Sequence, residues 1–491
     1  MKKMKAGHKR TAVALAAFCA AGAAFGFDLR VTVWRGESHS FIVSDEYPDI
    51  SGSAPGIEVR GGTLMPVRYN AGDTFEYKTV ADRAEYGSKA PGIHFATITA
   101  APDAKPGEYR MGQLVVTVVD RVLPPPREWR YFLDLWQHPW AVARVNGVKP
   151  FSDAHYAAME PLWRMLADAG QKALTVTLVD QPWNHQCYDA YGSMVVRRKG
   201  ADGKWTFDYS VFDRYVAFGR KCGLGPDIAC YTMCPWGYMV DYVDADGKFV
   251  LAEARPGKPF FDEYWGSFLA DFSRHLEERG WLKDAYIAMD ERSPEDLAYI
   301  AKFVRRVAPG LKIAMAGNRR PSEFKGIVID NYSQILPHVD APFLEDVAAR
   351  RREGRKTTYY VCCWPERPNT FMRSGRGEAF VCGFYPAACG LDGFLRWAYN
   401  SWGEDPMNDM TYFRWTAGDV ALVYPDGSPS WRFLELRNGI VAAEKFRILR
   451  EMGGRDAQLD ALAAKFDLGR LLDGTDYMAL RGAVQETVNG K

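Results

Sequence analysis

Two adjacent carboxylates, Asp290 and Glu291, follow a short apolar run in the stretch DAYIAMDERSPEDL. Neighbouring like charges repel, so each raises the pKa of the other, and two unequal carboxyl groups can then serve as an acid and as an anion. One reaction that uses such a pair is the hydrolysis of a 2-acetamido sugar, in which the substrate's own acetamide oxygen attacks the anomeric carbon. The predicted acid is Glu291, which protonates the leaving oxygen. Asp290 is predicted to stay ionised, orienting the acetamide N–H and stabilising the oxazolinium.

The same dipeptide also has a purely structural interpretation. Ser293 and Pro294 predict the start of a helix, with a side-chain cap followed by proline at the first helical position. Asp290 would then be solvated or paired with Arg292, and Glu291 would be a first-turn residue facing the positive end of the helix. The residues at the other strand ends therefore carry much of the argument.

Aromatic and amide side chains follow the other predicted strands at the point where each strand ends. A sugar presents apolar C–H faces and fixed hydroxyl groups, so a pocket for it needs aromatic platforms with polar groups between them. Trp136, Tyr332, Trp364 and Trp402 are expected to converge around the carboxylate pair. The full set of predicted substrate-binding residues is Trp136, His138, Trp183, Asn184, Asn331, Tyr332, Trp364, Trp397, Tyr399, Asn400 and Trp402.

The elements that must position these residues alternate between strand and helix from residue 131 to 454. The predicted strands are YFLDLWQ, ALTVTLVD, DIACYTM, AYIAMDE, LKIAMAG, GIVIDNY, TTYYVCCW and GFLRWAYNSW. Eight strands favour a (β/α)8 barrel of the TIM type, with the carboxylate pair at the C-terminal end of the fourth strand, where barrel enzymes keep their catalytic groups. The sequence gives only weak signals for the helices that should follow the fifth and seventh strands. A hairpin turning at Asp202 and Gly203 is inserted after the second strand.

The remaining segments differ in their patterns. Residues 27–122 consist of short strands separated by Gly- and Pro-bearing turns, which predicts a small all-β sandwich domain. Residues 123–130, which include LPPPREW, predict a stiff Pro-rich linker. Residues 455–491 carry apolar residues at helical spacing and predict a helical C-terminal tail.

Residues 1–26 predict a signal peptide, because basic residues precede an apolar run that is too short to span a membrane. We therefore expect an exported protein, periplasmic or extracellular, without a stable membrane span. Lys and Arg number 62 against 61 Asp and Glu, so no overall field attracts nucleic acid. The eight histidines are scattered, and we expect neither a metal nor another cofactor.

Eight cysteines follow the predicted signal peptide, at positions 187, 222, 230, 234, 362, 363, 382 and 389. The spacing of Cys230 and Cys234 is compatible with a metal site but lacks further ligands nearby. Buried thiols or one local disulfide are the expected state.

The segments YFLDLWQHPW, AYIAMDE and GFLRWAYNSW, in that order, resemble glycoside hydrolase family 123, the exo-acting β-N-acetylgalactosaminidases. The resemblance runs from about Tyr131 to Leu449. It implies that Glu291 is the acid/base and that Asp290 assists the acetamide. It also implies a retaining enzyme whose partner is a carbohydrate with a terminal β-linked N-acetylhexosamine, on glycans or glycolipids.

Two other functions stay open at this point. A non-catalytic secreted carbohydrate-binding barrel would use the same aromatic residues, although pure binding has no need of a proton donor. A retaining glycosidase of other sugar specificity would need a carboxylate nucleophile near the seventh strand, where Glu366 is the candidate.

Overall fold

The computed structural model describes residues 28–43, 50–70, 77–412 and 414–490. The predicted signal peptide, residues 1–26, lies outside these residues. Contacts within the chain divide it into a smaller unit, up to Thr63 together with Glu85–Leu123, and a larger unit, Leu64–Ala84 together with the chain from Pro124 onward. Whereas the sequence assigns residues 27–122 to one domain, the contacts thus assign residues 64–84 to the larger unit.

The N-terminal region is built from two β-sheets. One has the strand order β1-β8-β7, and the other has the order β2-β6-β4-β3, with β5 beside β4. Within the smaller unit, alternate side chains of both sheets share one core, in which Val33, Ile98 and Val116 are fully buried. The predicted all-β sandwich is confirmed. The strands are β1 (Leu29–Arg35), β2 (Ser38–Ile42), β3 (Gly52–Ala54), β4 (Ile57–Asn70), β5 (Tyr77–Tyr86), β6 (Ile93–Ala100), β7 (Gly107–Met111) and β8 (Leu114–Val122).

Eight parallel strands form the barrel, in the order β10-β13-β16-β17-β18-β19-β20-β9. The two end strands meet where the Lys172 amide donates to the Leu133 carbonyl at 2.9 Å, which brings the barrel almost to closure. The predicted eight-stranded barrel is confirmed. Its strands are β9 (Phe132–Leu135), β10 (Ala173–Thr177), β13 (Asp227–Tyr231), β16 (Ala285–Met289), β17 (Lys312–Gly317), β18 (Asn331–Ile335), β19 (Lys356–Tyr360) and β20 (Gly393–Arg396).

Helices cover the outside of the barrel, and several begin at a side-chain cap, among them the predicted cap Ser293. The side chains of Ser152, Ser293, Asp340 and Ser430 each accept a main-chain N–H of the first helical turn. Between β17 and β18 the described chain forms only a 3₁₀ turn, Pro321–Glu323. The helices are α1 (Pro139–Val145), α2 (Asp153–Asp168), α3 (Ser210–Cys222), α4 (Pro259–Glu278), α5 (Pro294–Val307), α6 (Ala341–Arg352), α7 (Glu378–Cys389) and α8 (Trp431–Met452).

Two hairpins are inserted after the second and third barrel strands. The strands β11 (Val196–Lys199) and β12 (Trp205–Asp208) pair antiparallel across the predicted turn, where Gly203 has a φ of 78°. The strands β14 (Met239–Val243) and β15 (Phe249–Glu253) form the second hairpin. Together the two hairpins make one four-stranded sheet.

Residues 64–84 are tied into the larger unit by a buried ion pair. The Arg432 guanidinium donates to both carboxylate oxygens of Asp82, each at 3.0 Å, and the Tyr424 hydroxyl adds a third donor at 2.6 Å. Arg432 also donates to the main-chain oxygens of Thr370 and Ala421. Both charges are nearly excluded from solvent, so each depends on the other for compensation.

The chain ends in three short helices, α9 (Asp456–Ala463), α10 (Leu468–Asp473) and α11 (Tyr477–Asn489). They follow the helical spacing seen in the sequence. Among the described helices, none combines the length and the apolar character needed to cross a membrane.

Candidate active site

The C-terminal ends of the barrel strands surround a cleft of about 480 Å³. Alternate residues of a strand face the barrel interior, and on β16 these are Tyr286 and Ala288, so Asp290 follows on the same side. The chain turns at Glu291 before helix α5, and both carboxylates reach the cleft. The cleft is lined by Trp136, Trp183, Asn184, Gln186, Trp236, Gly237, Asp290, Glu291, Ala316, Tyr360, Cys362, Cys363, Leu395, Trp397, Arg414, Trp415 and Asp419.

Hydrogen-bond donors surround Asp290. The Trp236 indole N–H donates to Oδ2 of Asp290 at 2.8 Å, and the Arg292 guanidinium lies over the same indole ring, 4.0 Å from its centre. Loss of water contact raises the pKa of Asp290, whereas the Trp236 N–H, the Glu291 main-chain N–H and the nearby Arg292 charge favour its anion. These fixed donors therefore oppose the effect of burial and favour the charged form of Asp290.

Glu291 has a different set of partners. The Tyr360 hydroxyl donates to its Oε1, and the Asn318 amide donates to its Oε2 at 3.3 Å. Burial raises the pKa of Glu291; the bond from Tyr360 lowers it, and the charge of Asp290 raises it further. A carboxyl group with a raised pKa that opens onto a cleft is suited to proton donation.

One wall of the cleft is aromatic. The ring centre of Trp136 lies 5.3 Å from that of Trp183 and 4.5 Å from that of Tyr231. On another side, the rings of Trp397 and Trp415 meet edge to face at 5.8 Å. Flat, partly apolar walls of this kind fit the C–H faces of a sugar ring.

A buried ion pair fixes the loop that follows β20. The Arg396 guanidinium donates to Oδ1 of Asp419 at 2.8 Å, and neither side chain is exposed. Arg396 also donates to Oδ1 of Asn369 at 3.0 Å, which links this loop to the one after β19. The loop between Arg396 and Asp419 carries Arg414 and Trp415 into the cleft.

The structure brings six of the predicted site residues together. The carboxylates Asp290 and Glu291 share the cleft with Trp136, Trp183, Asn184 and Trp397. Their roles in catalysis and binding stay predictions.

Two predicted residues of the sixth strand lie elsewhere, because that strand begins later than expected. The sequence predicts the strand GIVIDNY, which would place Asn331 and Tyr332 at its C-terminal end. The observed β18 instead begins at Asn331, so both residues lie in the first half of the strand and neither follows its C-terminal end. Tyr332 points outward, its ring 6.1 Å from that of Phe324, and its hydroxyl donates to the Arg319 carbonyl.

His138 and Asn400 form part of the scaffold beside the cleft instead of its lining. The His138 amide donates to Oδ1 of Asn400 at 2.8 Å, and the Asn400 amide group returns a bond to the His138 carbonyl at 3.0 Å. The His138 ring stacks on Tyr191, and burial lowers its pKa to about 3. These bonds join β9 to the chain after β20.

Tyr399 and Trp402 are also buried away from the cleft. The Tyr399 hydroxyl donates to the Leu162 carbonyl at 3.0 Å, and the Trp402 indole donates to the Val423 carbonyl at 2.7 Å. Trp364 is 49% exposed, with its ring 5.9 Å from that of His338, outside the residues that line the cleft. The expected convergence of Trp136, Tyr332, Trp364 and Trp402 was wrong, since only Trp136 lines the cleft.

Several cleft residues were missed in the sequence. Tyr360 could have been found, because strand alternation places one of Tyr359 and Tyr360 inside the barrel. Trp236 follows the third strand in the same way that the predicted tryptophans follow theirs. No sequence pattern marks the other polar, thiol and aromatic residues at the cleft, which are Gln186, Asn318, Cys362, Cys363, Arg414, Trp415 and Asp419.

The expectations about metal ligands and about cysteines concern the described residues as follows. Within the described residues, no group of three or more His, Cys, Asp or Glu side chains is placed to hold a metal ion. The eight cysteines at 187, 222, 230, 234, 362, 363, 382 and 389 are all free thiols.

Known proteins resemble this chain in sequence and fold. The family profile described as glycoside hydrolase 123, catalytic domain, matches residues 136–449. A family 123 glycoside hydrolase from Clostridium perfringens, studied for glycolipid glycan hydrolysis, has a TM-score of 0.80 at 23% identity, covering 94% of this chain and 93% of that chain. A GH10 xylanase with a bacterial Ig-like domain, from termite gut, has a TM-score of 0.36 at 13% identity and covers 85% of this chain and 98% of its own. No curated protein matches the sequence.

Proposed function

We propose that this chain, which belongs to glycoside hydrolase family 123, is an exo-acting retaining β-N-acetylgalactosaminidase that uses the 2-acetamido group of its substrate as the nucleophile. The observation that carries the proposal is the unequal setting of the two adjacent carboxylates. Asp290 accepts a hydrogen bond from an indole N–H, and Glu291 accepts one from a phenol. Neighbouring groups with different donors can hold different protonation states.

In the proposed first step, Glu291 protonates the glycosidic oxygen as the bond to the anomeric carbon breaks. The acetamide oxygen of the sugar attacks that carbon from the opposite face, forming an oxazolinium. Asp290 accepts the acetamide N–H and offsets the positive charge that develops. In the second step Glu291, now a carboxylate, removes a proton from water as the water attacks the anomeric carbon, so the configuration is retained.

The other acidic groups near the cleft are engaged elsewhere, which supports a nucleophile supplied by the substrate. Among the described residues that line the cleft, the third carboxylate is Asp419, and it is held in its buried pair with Arg396. Glu366, the candidate nucleophile of the competing mechanism, pairs with Arg373 and does not line the cleft.

The preference for galactosamine rests on the family resemblance, and its extension to glycolipids on the Clostridium perfringens enzyme, which acts in glycolipid glycan hydrolysis. The substrate itself is a carbohydrate, as for the family. The predicted signal peptide supports action outside the cytoplasm.

The direct test is hydrolysis of aryl β-glycosides of N-acetylgalactosamine, N-acetylglucosamine and galactose. Cleavage of the N-acetylgalactosamine substrate, with little or none of the galactose substrate, is expected, because galactose lacks the attacking acetamide. Equal cleavage of the galactoside would refute the substrate-assisted mechanism. Binding of the sugars without turnover would instead favour the non-catalytic alternative.

Two variants separate the roles of the carboxylates. Glu291→Gln should slow substrates with poor leaving groups by roughly 10²–10⁴-fold and activated aryl glycosides less, because only the former need protonation. Asp290→Asn should slow both classes by a factor on the order of 10²–10³. Glu366→Gln is the matched control and should retain activity; a loss comparable to that of Glu291→Gln would support the carboxylate-nucleophile mechanism instead.

A further inference from the structure

Two adjacent thiols line the same cleft as the carboxylate pair. Cys362 and Cys363 follow the end of β19, whose last residue, Tyr360, donates to Glu291. Their sulfur atoms lie 3.9 Å apart, and Cys363 is exposed. Hydrolysis of a glycoside uses neither thiol, so the mechanism leaves both unexplained.

Five of the other six described cysteines are buried, and the sixth, Cys389, is partly buried. Cys187, Cys222, Cys230 and Cys382 are buried, and burial raises the pKa of each thiol. Cys234 is buried in the same way. By contrast, the thiol of Cys362 lies against that of Cys363 and lowers its pKa. Because the thiolate is the reactive form, Cys363 is the thiol most open to attack by an electrophile.

We infer that Cys362 and Cys363 form a dithiol modification site that takes small disulfides and trivalent arsenicals, and that a bulky group bound there obstructs the sugar-binding cleft. The inference about obstruction rests on the proposed function, whereas the inference about the dithiol does not. Two sulfur atoms at this distance can both bond to one arsenic atom or, after rotation of their side chains, to each other.

With a small disulfide RSSR, the Cys363 thiolate attacks one sulfur, the S–S bond breaks, and RS⁻ leaves and takes up a proton. The Cys362 thiolate then displaces the second RS⁻ from Cys363, which completes a bond between Cys362 and Cys363. In total, two cysteine thiols lose two electrons and two protons, and RSSR becomes two molecules of RSH. With phenylarsine oxide, the same thiols form two As–S bonds and release one water, without oxidation.

The disulfide should be readily reversed. Adjacent Cα atoms are about 3.8 Å apart, closer than the Cα atoms of ordinary disulfides, and such strained or exposed disulfides are easily reduced. The site is therefore suited to reversible modification and not to a permanent cross-link.

The main chain around the two thiols is well anchored. The Cys362 amide donates to the Trp364 carbonyl at 3.1 Å, and the Cys362 carbonyl accepts a bond from the Asn369 amide group at 3.0 Å. Asn369 is held in turn by the buried Arg396. Because this segment is fixed, a phenylarsenic group on the two sulfurs projects into the cleft instead of swinging away from it.

The test treats the wild-type protein, Cys363→Ser and the control Cys389→Ser with phenylarsine oxide or with oxidised glutathione. Cys389 is the control because its thiol is partly buried and donates to the Tyr385 carbonyl at 3.1 Å. In wild type and in Cys389→Ser, intact mass and peptide mapping should show one phenylarsenic group on the peptide containing residues 362–363. Cys363→Ser should carry no such group. After treatment with oxidised glutathione, the same peptide should be lighter by the mass of two hydrogen atoms and should carry no stable glutathione adduct. A stable glutathione adduct, or an arsenical on another peptide, would overturn the dithiol site.

Activity measured before and after the reagent tests the obstruction. Each protein is compared with its own untreated activity. Phenylarsine oxide should abolish most of the activity of wild type and Cys389→Ser, with restoration by a dithiol such as dimercaptopropanol, and should spare Cys363→Ser. Full activity of the arsenic-bound wild type would overturn obstruction. The mass measurement needs no sugar substrate, so a failure of the proposed glycosidase activity would be visible separately.

Discussion

Replacing Trp236 by phenylalanine should displace the acidic limb of the pH profile. The change removes the indole N–H that donates to Asp290 at 2.8 Å and keeps an aromatic ring beneath Arg292. Hydrogen bonds to charged groups contribute about 1.5–3 kcal/mol, and one pKa unit corresponds to about 1.4 kcal/mol. The lost bond stabilises the anion more than the neutral acid, so its removal should raise the pKa of Asp290.

Asp290 must be ionised to stabilise the oxazolinium, so activity is present above its pKa and lost as the pH falls through it. The acidic limb of kcat/KM should therefore move to higher pH by about one pH unit, because bonds to charged and to neutral groups differ by roughly 1–1.5 kcal/mol. The assay is kcat/KM for an activated aryl β-N-acetylgalactosaminide over both limbs of the profile. Trp183→Phe is the control, because Trp183 lines the same cleft and packs on Trp136. An acidic limb that stays in place, or one that moves equally in both variants, would refute the reasoning.

Three other side chains, Tyr360, Trp402 and Asp82, make contacts whose loss should have a measurable effect. Tyr360→Phe removes a bond that lowers the pKa of Glu291, so the alkaline limb, where the acid loses its proton, should move to higher pH in the same assay. Trp402→Ala should lower the free energy of unfolding by about 3–5 kcal/mol, measured by denaturant titration, because a fully buried indole is lost. Asp82→Ala should cost about 3–5 kcal/mol in the same measurement, because Arg432 is left as an uncompensated buried charge.

Two matched variants control the stability measurements. Glu451→Gln breaks two solvent-accessible ion pairs, with Arg130 and with Arg447, and should change the free energy of unfolding by less than about 1 kcal/mol. Trp364→Ala removes an indole that is 49% exposed and should cost much less than Trp402→Ala. If the variant at the exposed site and the variant at the buried site lower the free energy of unfolding equally in either comparison, burial does not determine the loss of stability.

The barrel and the position of Asp290 could be predicted because the relevant signals are local. Helix caps such as Ser152 and Ser293 lie directly before the helices that they begin, and the apolar run before Asp290 is the strand itself. The start of the sixth strand was predicted wrongly, because the apolar pattern of the sequence does not mark the residue at which that strand begins. The apolar residues of GIVIDNY suggested a strand, whereas β18 contains Ser333 and Gln334, which are polar and nearly fully buried.

Beyond the strand ends, the direction of a side chain depends on contacts that are distant in sequence. Trp397 faces the cleft and Trp402 does not, although both belong to the same predicted segment. The Trp402 indole donates a hydrogen bond to the buried carbonyl of Val423, which holds its ring away from the cleft. The ion pair with Arg396 holds Asp419 at the wall of the cleft. Alternation along a strand cannot predict either contact, because both depend on how the loop after β20 folds back.

The pair between Asp82 and Arg432 bears on how the protein can be divided for experiments. A recombinant fragment that starts at the Pro-rich linker would contain every barrel strand and both catalytic candidates. It would lack Asp82, which lies 350 residues before Arg432 in the chain. The Arg432 guanidinium, which donates to the carbonyls of Thr370 and Ala421, would then lose its counter-ion. A recombinant form of the catalytic part that also contains residues 64–84 is therefore expected to be more stable than one that begins at the linker.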